Sequence, residues 1–75
     1  MLSNLLDIEE KRRMTREEAA AWLHQLADSL ARHNKLEFQR EGLRYTVDVA
    51  NEVELEVELE IGEDGNELEI ELRWG

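Results

Sequence analysis

The feature that most constrains the fold is a strict alternation of apolar and acidic residues over residues 53–74. The segment reads VELEVELEIGEDGNELEIELRW, with two alternating runs separated by a glycine-containing turn. Successive side chains of a β-strand point to opposite faces, so the apolar residues of both runs share one face and the glutamates share the other. The segment therefore predicts one amphipathic β-hairpin.

The alternation also limits the register of this hairpin. A slip of one residue would turn every apolar side chain to the wrong face. We therefore predict that Ile61 lies opposite Leu68, which leaves a four-residue loop at residues 63–66. The other pairs of this register are Leu59 with Ile70, Glu58 with Glu71, Val57 with Leu72, Glu56 with Arg73 and Leu55 with Trp74. Glu60 then faces Glu69, and such like-charge pairs across strands are unfavourable.

A helix is predicted to begin just after Thr15. Thr15 and Glu18 form a Thr-x-x-Glu capping box, in which each side chain satisfies a backbone N–H at the helix start. Apolar residues then recur at three- and four-residue spacing, which gives the helix one apolar face. They are Ala19, Trp22, Leu23, Leu26, Ala27 and Leu30. Asn34 tolerates the left-handed conformation that ends many helices, so we expect a helix at 16–34.

A second hairpin is predicted at residues 36–49. Apolar and polar residues alternate on either side of a tight turn at residues 41–42. The matching register places Phe38 opposite Tyr45, an aromatic pair that stabilises a sheet. The same register sets Leu36 opposite Val47 and Arg40 opposite Leu43.

Together these elements predict a single α+β domain over residues 1–75. The economical assembly is one amphipathic helix packed on a four-stranded antiparallel meander sheet. In that sheet Val49 would pair with Val53 and Arg44 with Glu58. The N-terminal extension, residues 1–13, has an ambiguous part at residues 5–13, for which a strand is favoured over a helix.

Composition excludes several classes of function. The net charge of −10 disfavours direct binding to nucleic acid, because the phosphates would be repelled. No run approaches the roughly 20 apolar residues of a membrane span. The chain has no cysteine, which suits a reducing compartment. We therefore expect a soluble cytoplasmic protein that binds neither nucleic acid nor membrane.

Candidate catalytic residues are few. His24 and Asp28 are four residues apart on the predicted helix and form the candidate acid–base pair there. His33 lies on the opposite side of the helix, so it cannot bind the same metal ion as His24. Sheet carboxylates are numerous, but general acid catalysis needs a pocket that raises one pKa. We expect no enzymatic activity, cofactor or metal ion; the alternative is a small enzyme that uses this helix pair or the sheet carboxylates.

The acidic face of the 53–74 hairpin is the feature of the sequence that indicates a binding function. Its partner-binding candidates are Glu54, Glu56, Glu58, Glu60, Glu67, Glu69 and Glu71. Glutamate has poor strand propensity, and its concentration here is a local conflict of the kind that functional sites show. We expect a non-enzymatic interaction module that binds a basic protein surface or tail. A structural homo-oligomer that pairs through an edge strand is the remaining alternative.

Two segments of the chain resemble a known family. Residues 14–30 read MTREEAAAWLHQLADSL, and the glutamate-alternating strands close on Glu-Leu-Arg-Trp. This combination is similar to the amphi-Trp domain, a small prokaryotic family named for its amphipathic final stretch and tryptophan. The resemblance covers roughly residues 10–74 and implies the fold above. The family has no established activity, cofactor or catalytic residues, so the resemblance transfers no site.

Overall fold

The computed structural model describes residues 8–75 and has an α+β architecture. One helix is followed by four strands that form two antiparallel hairpins. The elements are α1 (Arg16–His33), β1 (Lys35–Arg40), β2 (Leu43–Asp48), β3 (Glu54–Gly62) and β4 (Gly65–Arg73).

Helix α1 begins with the predicted capping box. The backbone N–H of Glu18 donates to Thr15 Oγ1 at 3.1 Å, and the backbone N–H of Thr15 donates to Glu18 Oε1 at 3.0 Å. The bonds from the Thr15 backbone and hydroxyl lower the pKa of Glu18 below its usual 4.5. At the other end Asn34 has φ 54°, in the left-handed region. Local signals therefore determine both ends of this helix.

The β1–β2 hairpin has the predicted register. Phe38 lies opposite Tyr45, with Leu36 opposite Val47 further from the turn. The turn residues Glu41 and Gly42 both have positive φ, 53° and 79°. Two positive values are the backbone of the tight turns that match the twist of a two-residue hairpin.

The β3–β4 hairpin has a different register from the predicted one. Leu59, rather than Ile61, lies opposite Leu68, so β4 is displaced by two residues. Gly62 now pairs with Gly65, and the loop is two residues long. Gly65 has φ 142°, which a residue with a Cβ rarely adopts. A shift of two leaves every side chain on its predicted face, and the tighter glycine-flanked turn decides between the two registers.

The two hairpins do not join into the predicted four-stranded meander. The structure has two separate two-stranded sheets, β1–β2 and β3–β4, and Arg44 does not pair with Glu58. The backbone groups of Asp48 and Val49, near the expected start of pairing between β2 and β3, form hydrogen bonds with other residues. The N–H of Val49 donates to the Asn34 carbonyl at 2.8 Å, and the Asp48 carbonyl accepts from Trp74 Nε1 at 3.0 Å.

The N-terminal strand is not seen where the structure can test it. Residues 8–13 have no strand or helix, and the rest of the predicted strand, residues 5–7, lies outside the described residues. The described part is mostly charged, so it has little apolar surface to pack against a sheet.

Apolar packing is concentrated where α1 meets β1. Within residues 8–75 no side chain is fully buried, and the half-buried ones gather between the helix, the first hairpin and the end of the second. They include Leu26, Leu30, Leu36, Phe38, Tyr45, Val49, Leu72 and Trp74. Helix α1 packs against β1, and it reaches β3–β4 only near Leu30, beside Leu72. The long hairpin is therefore covered only at its base.

Candidate functional site

The acidic face lies on the two longest strands, and the alternation of β3 and β4 places all seven of its glutamates on one side. All seven are exposed. The observed register makes three directly opposed pairs, namely Glu56 with Glu71, Glu58 with Glu69 and Glu60 with Glu67. The predicted register had two such pairs. The face therefore has more facing like charge than the sequence indicated.

Arg73 is the one basic residue on the β3–β4 hairpin and lies at its open end. It is opposite Glu54, whose Oε1 is 3.4 Å from Arg73 Nη1, and its other Nη contacts the Glu71 carboxylate. The sequence had placed Arg73 opposite Glu56. Arg73 thus partly neutralises the carboxylates of the two residue pairs nearest the open end, which contain Glu54 and Glu71. The glutamate pairs nearer the turn have no cation on this hairpin.

Arg44, the other basic residue expected on this face, lies elsewhere. It belongs to β2, and its Nε is 3.5 Å from Glu37 Oε1 on the adjacent strand β1. Because β2 does not pair with β3, Arg44 neutralises a charge of its own hairpin.

Crowding of carboxylates changes the protonation of Glu69. The charges of Glu67 and Glu58 raise the pKa of Glu69 above its usual 4.5, and loss of solvation, a hydrogen bond with Glu67 and the charge of Glu71 add to the rise. Glu69 is at the centre of the face, between two neighbours along β4 and opposite a third on β3. The raised pKa indicates a concentrated negative potential that a cationic group could relieve.

The arrangement suits binding of cationic groups better than proton transfer. Alternate residues along a strand are roughly 6.8 Å apart, so the face presents two parallel rows of carboxylates at regular intervals. Regularly spaced, exposed carboxylates complement an extended or helical segment that carries several lysines or arginines. In the described part of the chain, no group of three or more His, Asp or Glu side chains is arranged to hold a metal ion.

The helix candidates are not brought to the acidic face. His24 lines a shallow depression of α1 with Ala20, Leu23 and Ala27. No hydrogen bond or ion pair joins His24 to Asp28 among residues 8–75. His33 is in the last turn of α1, where a basic residue complements the helix dipole. The structure thus leaves this pair as separate surface residues.

Two features of the site region were missed from the sequence. One is the bond from the Trp74 indole to the Asp48 carbonyl, although a tryptophan N–H near a core usually requires an acceptor. The other is the exposure of the apolar face of β3–β4, which had been expected to lie under the helix. Its uncovered side chains are Leu55, Val57, Leu59, Ile61, Leu68 and Ile70.

Comparison with known proteins finds a matching family model. A family model described as the Amphi-Trp domain matches residues 1–75, the whole chain. No curated protein and no solved structure matches it significantly. No helix in residues 8–75 is long and apolar enough to cross a membrane.

Proposed function

The chain belongs to the Amphi-Trp domain family, and we propose that it is a non-enzymatic interaction module of a prokaryotic cytoplasm. Its acidic face binds a basic protein surface or tail. The binding residues are Glu54, Glu56, Glu58, Glu60, Glu67, Glu69 and Glu71.

The observation that supports this proposal is the series of three directly opposed glutamate pairs on β3 and β4. Like charges that face each other across strands cost folding free energy, and a free-standing sheet gains nothing from them. A basic partner would remove that cost on binding, so the repulsion within the free protein becomes part of the binding free energy. Glu69 is at the centre of these pairs, and its neighbours raise its pKa, so we expect a cationic group to relieve repulsion there.

A direct test measures binding of a fluorescent peptide with lysine at every second position, KTKTKTKTK, by fluorescence anisotropy at low salt. In an extended peptide these lysines repeat at about 6.8 Å, the spacing of the glutamates along each strand. We expect the triple variant Glu56→Gln, Glu58→Gln and Glu69→Gln to bind at least about tenfold more weakly than the wild type.

The matched control removes the same charge elsewhere, by changing Glu9, Glu10 and Glu52 to Gln. These exposed residues lie outside the β3–β4 hairpin. If the acidic face is the binding site, the control keeps most of the wild-type affinity. Equal losses in both triple variants would show that only the net charge matters, and would contradict the proposal.

A further inference from the structure

The face of the β3–β4 hairpin opposite the glutamates is an unpartnered apolar surface. Six of its aliphatic side chains on β3 and β4 are exposed by half or more, and exposure is greatest, 76%, at Ile61 beside the turn. At the base Leu72 is half-buried beside Leu30 and Val49. Apart from Leu72, the apolar face of this hairpin is therefore uncovered along its length.

The size of this surface matches what a small dimer interface needs. Six large aliphatic side chains are exposed by half or more, and each presents on the order of 100 Å². Two copies packed face to face would bury roughly 1,200 Å², the lower end of the range for specific interfaces. Contiguous apolar patches of this size are uncommon on monomers and mark interaction sites. An isolated two-stranded hairpin is also only marginally stable, so a second layer would support it.

Charge favours a second copy in this orientation over one that pairs edge to edge. Edge pairing would continue the sheet and set the glutamate rows of two copies side by side, with strands about 4.8 Å apart. Face-to-face packing directs the glutamates outwards from two sheets that are about 10 Å apart, which places the two sets of carboxylates roughly 20 Å from each other. That separation is about two and a half times the Debye length of about 8 Å at physiological salt, so the repulsion is largely screened.

We propose that the apolar face of β3–β4 is a homodimer interface, in which the long hairpins of two copies pack as a two-layer sandwich. An interface at the small end of the range is expected to be weak, so we take a dissociation constant on the order of micromolar for the design of the test. The interface is opposite the acidic face, so a dimer displays two acidic faces to solvent. The inference does not depend on whether those faces bind a basic partner.

The first test is sedimentation equilibrium of the full chain from about 1 to 300 µM at physiological salt, a range that brackets the expected dissociation constant. We expect a monomer–dimer equilibrium that Leu59→Gln weakens at least about tenfold. The matched control is Leu43→Gln, because Leu43 on β2 is 60% exposed but lies outside the interface. A wild type that stays monomeric throughout, or equal weakening by both substitutions, would overturn the proposal.

The second test identifies the face of the hairpin that forms the interface by disulfide cross-linking. The chain has no native cysteine, so Leu59→Cys and Glu58→Cys each introduce a single thiol, at adjacent positions on opposite faces. We expect oxidation to give covalent dimers of the Leu59→Cys protein and to leave Glu58→Cys monomeric, with circular dichroism confirming that both are folded. Equal cross-linking of the two variants would indicate edge pairing and would overturn the sandwich.

Discussion

At the scale of single residues, Trp74 provides the closest polar link between the two hairpins. Its indole Nε1 donates to the carbonyl oxygen of Asp48 at 3.0 Å, across 26 residues of sequence. The side chain is half-buried, so it combines apolar contact with one specific hydrogen bond. No backbone ladder joins β2 to β3, and this bond therefore fixes how the end of β4 meets the end of β2.

Replacing Trp74 with phenylalanine should separate these two contributions. Trp74→Phe keeps an aromatic ring but removes the donor, and we expect the free energy of unfolding to fall by about 1 kcal/mol, the usual net value of a hydrogen bond. Urea denaturation followed by circular dichroism measures the change. The matched control is Trp22→Phe, because no hydrogen bond of the Trp22 indole is seen among the described residues. An equal loss in both variants would show that ring packing, and not the bond to Asp48, is responsible.

At the scale of elements, short sequence signals correctly predicted the features that depend on contacts between residues close in sequence. The start of α1 follows from the capping box at Thr15, and the β1–β2 register follows from a turn with two residues of positive φ. Both signals involve residues only a few positions apart. The sequence could therefore be interpreted correctly for these two elements without knowledge of the rest of the fold.

The β3–β4 register shows where that reasoning stops. Alternation has a period of two, so registers that differ by two residues place the same side chains on the same faces. The pattern alone cannot distinguish Ile61 opposite Leu68 from Leu59 opposite Leu68. The turn decides, and Gly62 and Gly65 flank a two-residue loop. The acidic face was predictable as a set of residues, whereas its three opposed pairs were not.

The crowding on this element predicts a pH-dependent effect of Glu69→Gln. A carboxyl whose pKa is raised by folding contributes stability that is fully present below its unfolded value, near 4.5, and lost as pH rises through the higher folded value. Glutamine cannot ionise. We therefore expect the variant to be more stable than the wild type at pH 7 and equally stable near pH 3.

Urea denaturation at several pH values would measure this difference. Glu54→Gln is the matched control on the same face, because Glu54 has an ion pair with Arg73 and gains no comparable relief when neutralised. A Glu69→Gln variant that is less stable than the wild type at pH 7 would show that repulsion does not dominate at this position.

At the scale of the whole molecule, the arrangement of the hairpins could not be inferred from the chain. The prediction of one four-stranded sheet under a helix assumed that every apolar face is covered within a single copy. In the structure α1 packs mainly on β1, and most of the apolar face of β3–β4 stays uncovered. Contacts between elements depend on a few specific bonds, such as Val49 to Asn34, which no periodic pattern reveals.

The overall charge makes a prediction at this scale. The net charge is −10 on 75 residues, and most of the repulsion is between exposed carboxylates that salt screens effectively. We expect the melting temperature to rise as sodium chloride increases from about 20 to 300 mM, over which the Debye length falls from about 20 Å to about 6 Å. Differential scanning calorimetry at a fixed low protein concentration measures this. A melting temperature that does not change with salt would contradict the repulsion inferred for the glutamate ladder.

The alternation that gives β3–β4 one apolar and one acidic face also limits how far the protein can polymerise. A sheet that is apolar on both faces can stack into many layers, because each added layer offers a new apolar surface for the next. In the proposed dimer, face-to-face packing uses the apolar face of the hairpin, and the outward faces of the two β3–β4 sheets carry the glutamates. Growth therefore ends after a single layer, and an exposed hydrophobic hairpin remains compatible with a high concentration of the protein in solution.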